Sequence, residues 1–374
     1  MEKHLNVISI NVPYPPNYGG MIDIYYKLKT LHAAGIKIIL HTFEYGREKA
    51  PELEDICAEV HYYKRKTGLL SQFSILPYIV YSRRCKKMLQ RLLTNNYPIL
   101  FEGLHTCYYL HDARLRVRQK MVRLHNIEHE YYAGLARTAN SQWEHWYMAL
   151  ESKRLKKYEK QLQHADLLFP LSTVEKEYID RMYPANKSEL LPLFHANDTV
   201  GISEKTEAFV LYHGDLSTPD NIRAALFLIR EMVAKDQSIQ WVIAGLNPHP
   251  SIYRAAKELE NVEIRANLKK EEIDWLIQHS RVNVLYTNQV SGVKLKLLNA
   301  LFTGHHCIVN EKMVIGSRLE SLCKIAPDHP DAFLESIRYH FNHPFSTDEI
   351  EQRKMILEHH YNNKLNGATI LKYL

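Results

Sequence analysis

The chain has 374 residues, 45% hydrophobic and 24% charged, and a formal net charge of +6 at pH 7. That length exceeds one ordinary core and predicts two domains, and the composition excludes a disordered, fibrous or disulfide-framework protein. Five scattered cysteines (Cys57, Cys85, Cys107, Cys307, Cys323) with no CxxC pair argue for a reducing compartment and against a zinc knuckle. No apolar run approaches the roughly 20 residues of a membrane-spanning helix. The N-terminus runs straight into a predicted strand, so no signal peptide is expected, and a cytoplasmic location follows as an expectation.

The charge is uneven. Residues 1–190 hold 28 Lys+Arg against 20 Asp+Glu, a balance of +8, and the remainder holds 20 against 22, a balance of −2. The basic runs are Arg83-Arg84-Cys85-Lys86-Lys87, residues 114–120, and Lys153-Arg154-Leu155-Lys156-Lys157. Singly they read as solvated helix faces. Together, beside the apolar and aromatic segment 69–81, they suit an anionic membrane surface. Nucleic acid is not expected as a partner, because no binding module accompanies the charge.

In chain order, a strand over 4–10 leads through Pro15-Pro16-Asn17-Tyr18-Gly19-Gly20 into a helix ending at Gly35. Strands follow over 36–43 and 59–63, then a loop over 69–81 and a basic helix to 95. Further strands are predicted over 98–102 and 120–125, separated by a helix from His105. Residues 127–164 read as one long helical tract. A strand over 166–171 precedes a helix that Ser172 or Thr173 caps. Periodicity lapses over 184–207, the expected interdomain connection.

Alternation resumes with a strand over 209–214, a helix over 221–233, and strands over 240–245 and 261–265. A helix over 271–279 comes next. Val282-Asn283-Val284-Leu285-Tyr286 is a strand, and Val293, Leu297, Leu298 and Leu301 recur at helical spacing up to Gly304. Strands over 307–309 and 323–326 and a helical tail complete the chain. Alternating strands and helices predict parallel sheets covered on both faces. The expected architecture is α/β: two Rossmann-like domains with parallel sheets facing across a cleft. Residues 1–190 form the first domain, 191–207 the linker, 208–360 the second domain, and 361–374 a helical tail packing back on the first.

Several motifs carry chemistry. Gln289-Val290-Ser291-Gly292-Val293-Lys294-Leu295-Lys296 opens a helix with small residues and a lysine, a pattern suited to phosphate because a helix start offers free N–H groups and a positive dipole end. Gly19-Gly20, His213-Gly214-Asp215-Leu216-Ser217 and Ala244-Gly245-Leu246-Asn247 all follow strands and allow close backbone approach. His125-Asn126-Ile127-Glu128-His129 matches the H-x-x-E-H pattern of inverted zinc peptidases. That reading needs both histidines on one helix face, whereas His125 falls at a strand's end, so no metal is expected.

On these residues the chain resembles the retaining glycosyltransferases of the GT-B fold, family four (group 1), in a bacterial branch. The resemblance runs through Pro15 to Gly20, through Phe101-Glu102-Gly103-Leu104-His105 with Arg123 to Tyr132, through His213 to Leu216 with Pro219-Asp220-Asn221, and through Ser291 to Lys296 with Ala300 and Gly304. It implies transfer of a sugar from a nucleotide-diphosphate donor to an acceptor hydroxyl with retention, in cell-surface polysaccharide or glycan synthesis. It implies no cofactor beyond the nucleotide sugar, and no metal. His125 and Lys296 would be catalytic. Gly19, Gly20, Gly214, Asp215, Gly245, Asn267, Leu268, Ser291, Gly292, Val293 and Asn299 would bind the donor. Glu102, His105, Asn126 and Glu128 would lie on the acceptor side.

The expected partners are a nucleotide sugar and a glycan or lipid-linked acceptor, with peripheral contact to an anionic membrane at the inner face. Two positions depart from the family pattern. Asn299 stands where relatives carry a ribose-binding glutamate, and the basic residues after the Gly214 loop are replaced by Asp215 and Ser217. The alternatives are a nucleotide-sugar epimerase of the same fold, a weakened transferase acting as a binding protein and, remotely, a zinc metallopeptidase through His125, Glu128 and His129.

Overall fold

The computed structural model describes residues 2–72, 74–139, 141–289 and 292–374, with the backbone alone at Leu69 and Leu70. The chain divides into two compact units, Met1–Ala196 with Tyr361–Leu374, and Asn197–His360.

The first unit holds β1 (His4–Ser9), β2 (Lys37–Glu44), β3 (Glu59–Lys64), β4 (Ile99–Glu102), β5 (Lys120–Leu124), β6 (Leu167–Pro170) and β7 (Lys187–Ser188). They form one sheet in the order β3-β2-β1-β4-β5-β6-β7, with every neighbouring pair parallel. The second unit holds β8 (Glu207–Asp215), β9 (Gln240–Leu246), β10 (Val262–Ala266), β11 (Ser280–Leu285), β12 (His306–Val309) and β13 (Lys324–Ile325). Its order is β10-β9-β8-β11-β12-β13, again all parallel. Central strands such as β4, β5 and β12 are buried at every residue, as strands covered on both faces must be. Each sheet reverses its direction of growth once, between β1 and β4 and between β8 and β11. In open α/β sheets such a switch point leaves a crevice at the strands' C-terminal ends, where ligands bind.

The second half of that alternation has two features that periodicity did not reveal. A helix Pro250–Ala256 starts with Pro250 in its first turn and His249 as its cap. The helix Pro219–Leu228 widens into a π turn over Ile229–Val233.

In the first unit the predicted tract over 127–164 is broken. A helix Glu128–Arg137 ends at Thr138, and Ser141 accepts from Glu144 N to start a new helix, Gln142–Tyr158. A 3-10 turn Glu159–His164 completes it. The helix expected from His105 is a 3-10 segment, Leu104–Tyr109, entered through Gly103 at φ 72. The expected loop over 69–81 contains two single-turn helices, Leu69–Gln72 and Tyr78–Tyr81.

The tail helix Asn363–Leu371 belongs to the first unit. Asn363 exchanges hydrogen bonds with the His195 backbone, and Lys372 pairs with Glu189 at 2.9 Å. The basic runs are only partly solvated. Arg83, Arg118 and Lys120 are buried, and Arg118 and Lys120 donate to the carbonyls of Asn95 and Leu110.

Candidate functional site

In the second unit the loops after β8 and β11 meet at the switch point, and the nine-residue helix Leu295–Thr303 starts there. Among the described residues this helix has no side-chain cap and no acidic residue in its first turn, so its positive dipole end favours an anion there. Its other end is fixed. Buried Arg353 donates to the carbonyls of Leu301, Gly304 and His305 and covers the Phe345 ring at 4.3 Å. Gly304 is required there, because a Cβ would lie 2.5 Å from the Asn283 amide and 2.9 Å from Ala300 O.

Lys296 is the second residue of this helix. Its ammonium donates to Asn221 Oδ1 at 3.1 Å and to Tyr286 O at 3.5 Å, and lies 5.1 Å from the Tyr212 ring centroid. These partners are neutral. Burial pushes the Lys296 pKa down to about 8, with Asp220 opposing the shift and Lys294 adding to it. Asp220 is committed elsewhere, accepting from Thr287 Oγ1 at 2.6 Å and from Asn288 N at 3.0 Å. Asn221 is the organising side chain: its amide nitrogen donates to Asp215 O at 2.9 Å while its oxygen accepts from Lys296 and Tyr212. His213 beneath the loop is held neutral, its pKa pushed down to about 3 by burial and by Lys296. The result is a half-buried ammonium that forms no ion pair among the described residues, in the first turn of a helix.

The predicted donor residues fall into three groups. Gly214 adjoins Lys296 through Asn221, whose amide would crowd a Cβ there at 3.0 Å. Gly292, at φ 70, and Val293 lead into the helix, whereas Ser291 lies outside the described residues. Asp215 is exposed and closes its own turn, accepting from Ser217 N and Ser217 Oγ at 3.0 and 2.6 Å.

Gly245 has a structural cause that differs from the predicted one. A Cβ would lie 1.7 Å from Gly214 O, so the glycine lets β9 pair with β8. Asn267, at φ 55, donates its N–H to Gly245 O and accepts from Asn247 N, both at 2.8 Å. It and half-buried Leu268 stand just past β10. Asn299, one turn beyond Lys296, already accepts from Asn197 at 3.1 Å.

In the first unit the residues at the ends of β4 and β5 form a charged network that the sequence reading missed in part. Lys27 Nζ contacts Asp23 at 3.0 Å and both oxygens of Glu102 at 2.7 and 2.9 Å. Arg123 pairs with Asp23 at 3.2 Å, and His125 Nε2 meets Glu102 at 3.1 Å. Burial alone would raise the Asp23 carboxyl, but Arg123, Lys27 and His125 outweigh it and hold the group well below its usual range. Glu102 behaves likewise, with Lys27 and His125 prevailing over burial.

Glu102, expected on the acceptor side, lies behind His125. The side chain has no exposed surface and supports His125, which keeps 14% of its own side chain exposed. Glu128 is also buried, 3.3 Å from His105, while Asn126 remains half-exposed. Gly20 starts the helix Gly19–Ala33 beside Ile10, whose methyl would lie 3.6 Å from a Cβ. Asp23 and Lys27, at i and i+4 beside core-facing Ile24, Leu28 and Leu31, were the sequence signal for this network.

Neither metal arrangement fits. His125, Glu128 and His129 turn to three different partners, Glu102, His105 and Glu159. Asp23, Glu102 and His125 bring ligand atoms within 4.8 Å of one another, but Lys27 and Arg123 already occupy those carboxylates.

No protein-family model matches the chain. It is 26% identical over 318 residues to an uncharacterised 44.6 kDa protein in the cps region of Klebsiella pneumoniae, covering 79% of each chain. Among solved structures it is similar to sucrose-phosphate synthase from Thermosynechococcus elongatus, at TM-score 0.70 and 14% identity over 100% of this chain and 98% of that one. The fold is GT-B. Anabaena HepE in complex with UDP and glucose matches at TM-score 0.67 and 11% identity, and S. aureus TarM with UDP at 0.66 and 11%. Each of these two covers 100% of this chain and 99% of its own. Among the described residues, no helix is long and apolar enough to cross a membrane.

Proposed function

We propose that the protein is a glycosyltransferase that moves a sugar from a nucleoside-diphosphate donor to an acceptor hydroxyl with retention. The observation that carries this reading is Lys296, a half-buried ammonium whose partners among the described residues are all neutral, at the second unit's switch point. A diphosphate would supply negative charge beside it, with the helix's positive end and the Gly214 loop favouring an anion. The charge that grows on the leaving diphosphate is what such a preorganised site stabilises best. Attack then comes from the leaving-group face, and the departing phosphate oxygen takes the acceptor proton. His125, oriented by Glu102, is the first unit's proposed sugar-binding residue.

HepE and TarM, whose structures contain UDP, support a uridine donor as the first to try. A role in polysaccharide or glycan synthesis accords with the Klebsiella relative. Contact with an anionic membrane would use the exposed Trp143 and Trp146 of the helix Gln142–Tyr158, beside exposed Lys153, Lys156 and Lys157. A thermal-shift screen of nucleotide sugars tests the reading, since a ligand that binds the folded state raises its melting temperature. One nucleotide sugar should stabilise the protein, and NMR of the product should show the donor's anomeric configuration kept. A flat response to every nucleotide sugar would defeat the proposal.

A further inference from the structure

The segments after β2 and β3 carry three arginines, Arg47, Arg65 and Arg83, none of which forms an ion pair with a carboxylate among the described residues. Arg83 is buried. Its Nε donates to Ile10 O at 3.0 Å and its Nη1 to Ile79 O, which leaves Nη2 without a partner among the described residues. The Ile10 side chain lies against Gly20 and Gly103, so Ile10 links Arg83 to both glycine turns of the first unit. Arg65 donates from Nε to Ser82 Oγ at 2.9 Å and stacks on Tyr45 and Tyr78 at 4.4 and 5.0 Å. Both of its terminal nitrogens lack partners among the described residues. Arg47 holds the first loop through Asn17 and Pro15 and covers the Tyr18 ring.

Arg65 is tied to Ser82, the residue that precedes Arg83, and guanidinium groups held in one neighbourhood repel each other, a cost that an anion would offset. Burial and Arg65 together push Arg83 down to about 9, and the other groups acting on it most strongly are Tyr132, Tyr18 and Tyr78. Tyr18 and Tyr45 remain 45% and 50% exposed, enough to offer ring faces beside the free N–H groups.

We propose that Arg65 and Arg83 form an acid-binding subsite, taking a carboxylate or phosphate of the acceptor while its sugar or lipid portion lies against Tyr18 and Tyr45. Naming that ligand an acceptor rests on the transfer reading above, but the acid-binding chemistry does not. The test is calorimetry on the full chain with glucose, glucuronate, glucose 6-phosphate and geranyl diphosphate, alongside UDP, GDP and ADP. At least one acid should bind about tenfold or more tighter than glucose, and the preferred acid distinguishes a sugar acid from a lipid diphosphate. Arg65→Gln and Arg83→Lys should each weaken that acid roughly tenfold, as expected for loss of a charge-assisted hydrogen bond, and leave nucleotide binding unchanged. Arg65 is only half-buried, so its variant reports even if the Arg83 variant does not fold. Equal binding of glucose and all three acids, or an Arg65→Gln protein that binds the acid as the parent does, overturns the subsite. A protein that binds a nucleotide but no acid refutes the subsite alone. Acid binding that depends on Arg65, with no nucleotide bound, upholds the subsite and removes the transfer reading.

Discussion

Each unit holds a lysine near the C-terminal edge of its sheet, Lys27 buried and Lys296 half-buried, and the two meet opposite electrostatic circumstances. Lys27 is enclosed by Asp23 and Glu102, both fully buried and both engaged. Lys296 rests on an amide oxygen, a carbonyl and an aromatic face. The first arrangement is complete within the protein, and removing one member leaves uncompensated buried charge. The second lacks an anion. A buried charge thus points to a ligand when its own protein has not neutralised it, and to positioning when it has.

The largest test of this contrast is Lys27→Met. It should cost about 3–5 kcal/mol, because Asp23 and Glu102 would stay buried without their cation. Lys296→Met should change stability by less than about 1 kcal/mol, read from denaturant midpoints at constant slope. Equal losses in the two variants would erase the distinction. A smaller effect separates structural glycines from ligand glycines. Gly245→Ala should destabilise by about 1–3 kcal/mol by forcing β9 from β8, even with no nucleotide present.

The pH dependence follows from Lys296. Only its ammonium attracts a diphosphate, and bound diphosphate raises its pKa above the free value of about 8. Above that value the free protein must take up a proton to bind, so affinity falls as pH rises, by up to about tenfold per pH unit. Calorimetry between pH 7 and 9.5 reads the slope, and Lys296→Ala should flatten it. The smallest effect concerns Asn299→Glu. A charge-assisted bond to a ribose hydroxyl would tighten nucleoside binding by only a few-fold, since the Asn197 contact is lost at the same time.

The parallel sheets and the helix that carries Lys296 were legible in the sequence. Strict strand–helix alternation predicts the parallel sheets, and the spacing of Val293, Leu297, Leu298 and Leu301 marks the helix that carries Lys296. The partners of Lys296 were not legible, because Asn221 and Tyr286 lie 75 and 10 residues away and only β8–β11 pairing brings them together. Nor was the break at Ser141, where a polar cap overrides continuous helical propensity on either side. Arg83 misled for a related reason: a basic run looks solvated whichever of its members the fold turns inward.

The central claim is that Lys296 is the diphosphate's cation. Calorimetric titration of the whole protein with UDP, GDP and ADP at pH 7, parent beside Lys296→Ala, tests it most directly. The parent should bind one of them, and the variant should lose roughly tenfold or more in affinity with an unchanged melting temperature. Equal affinity for that nucleotide in both proteins would contradict the account.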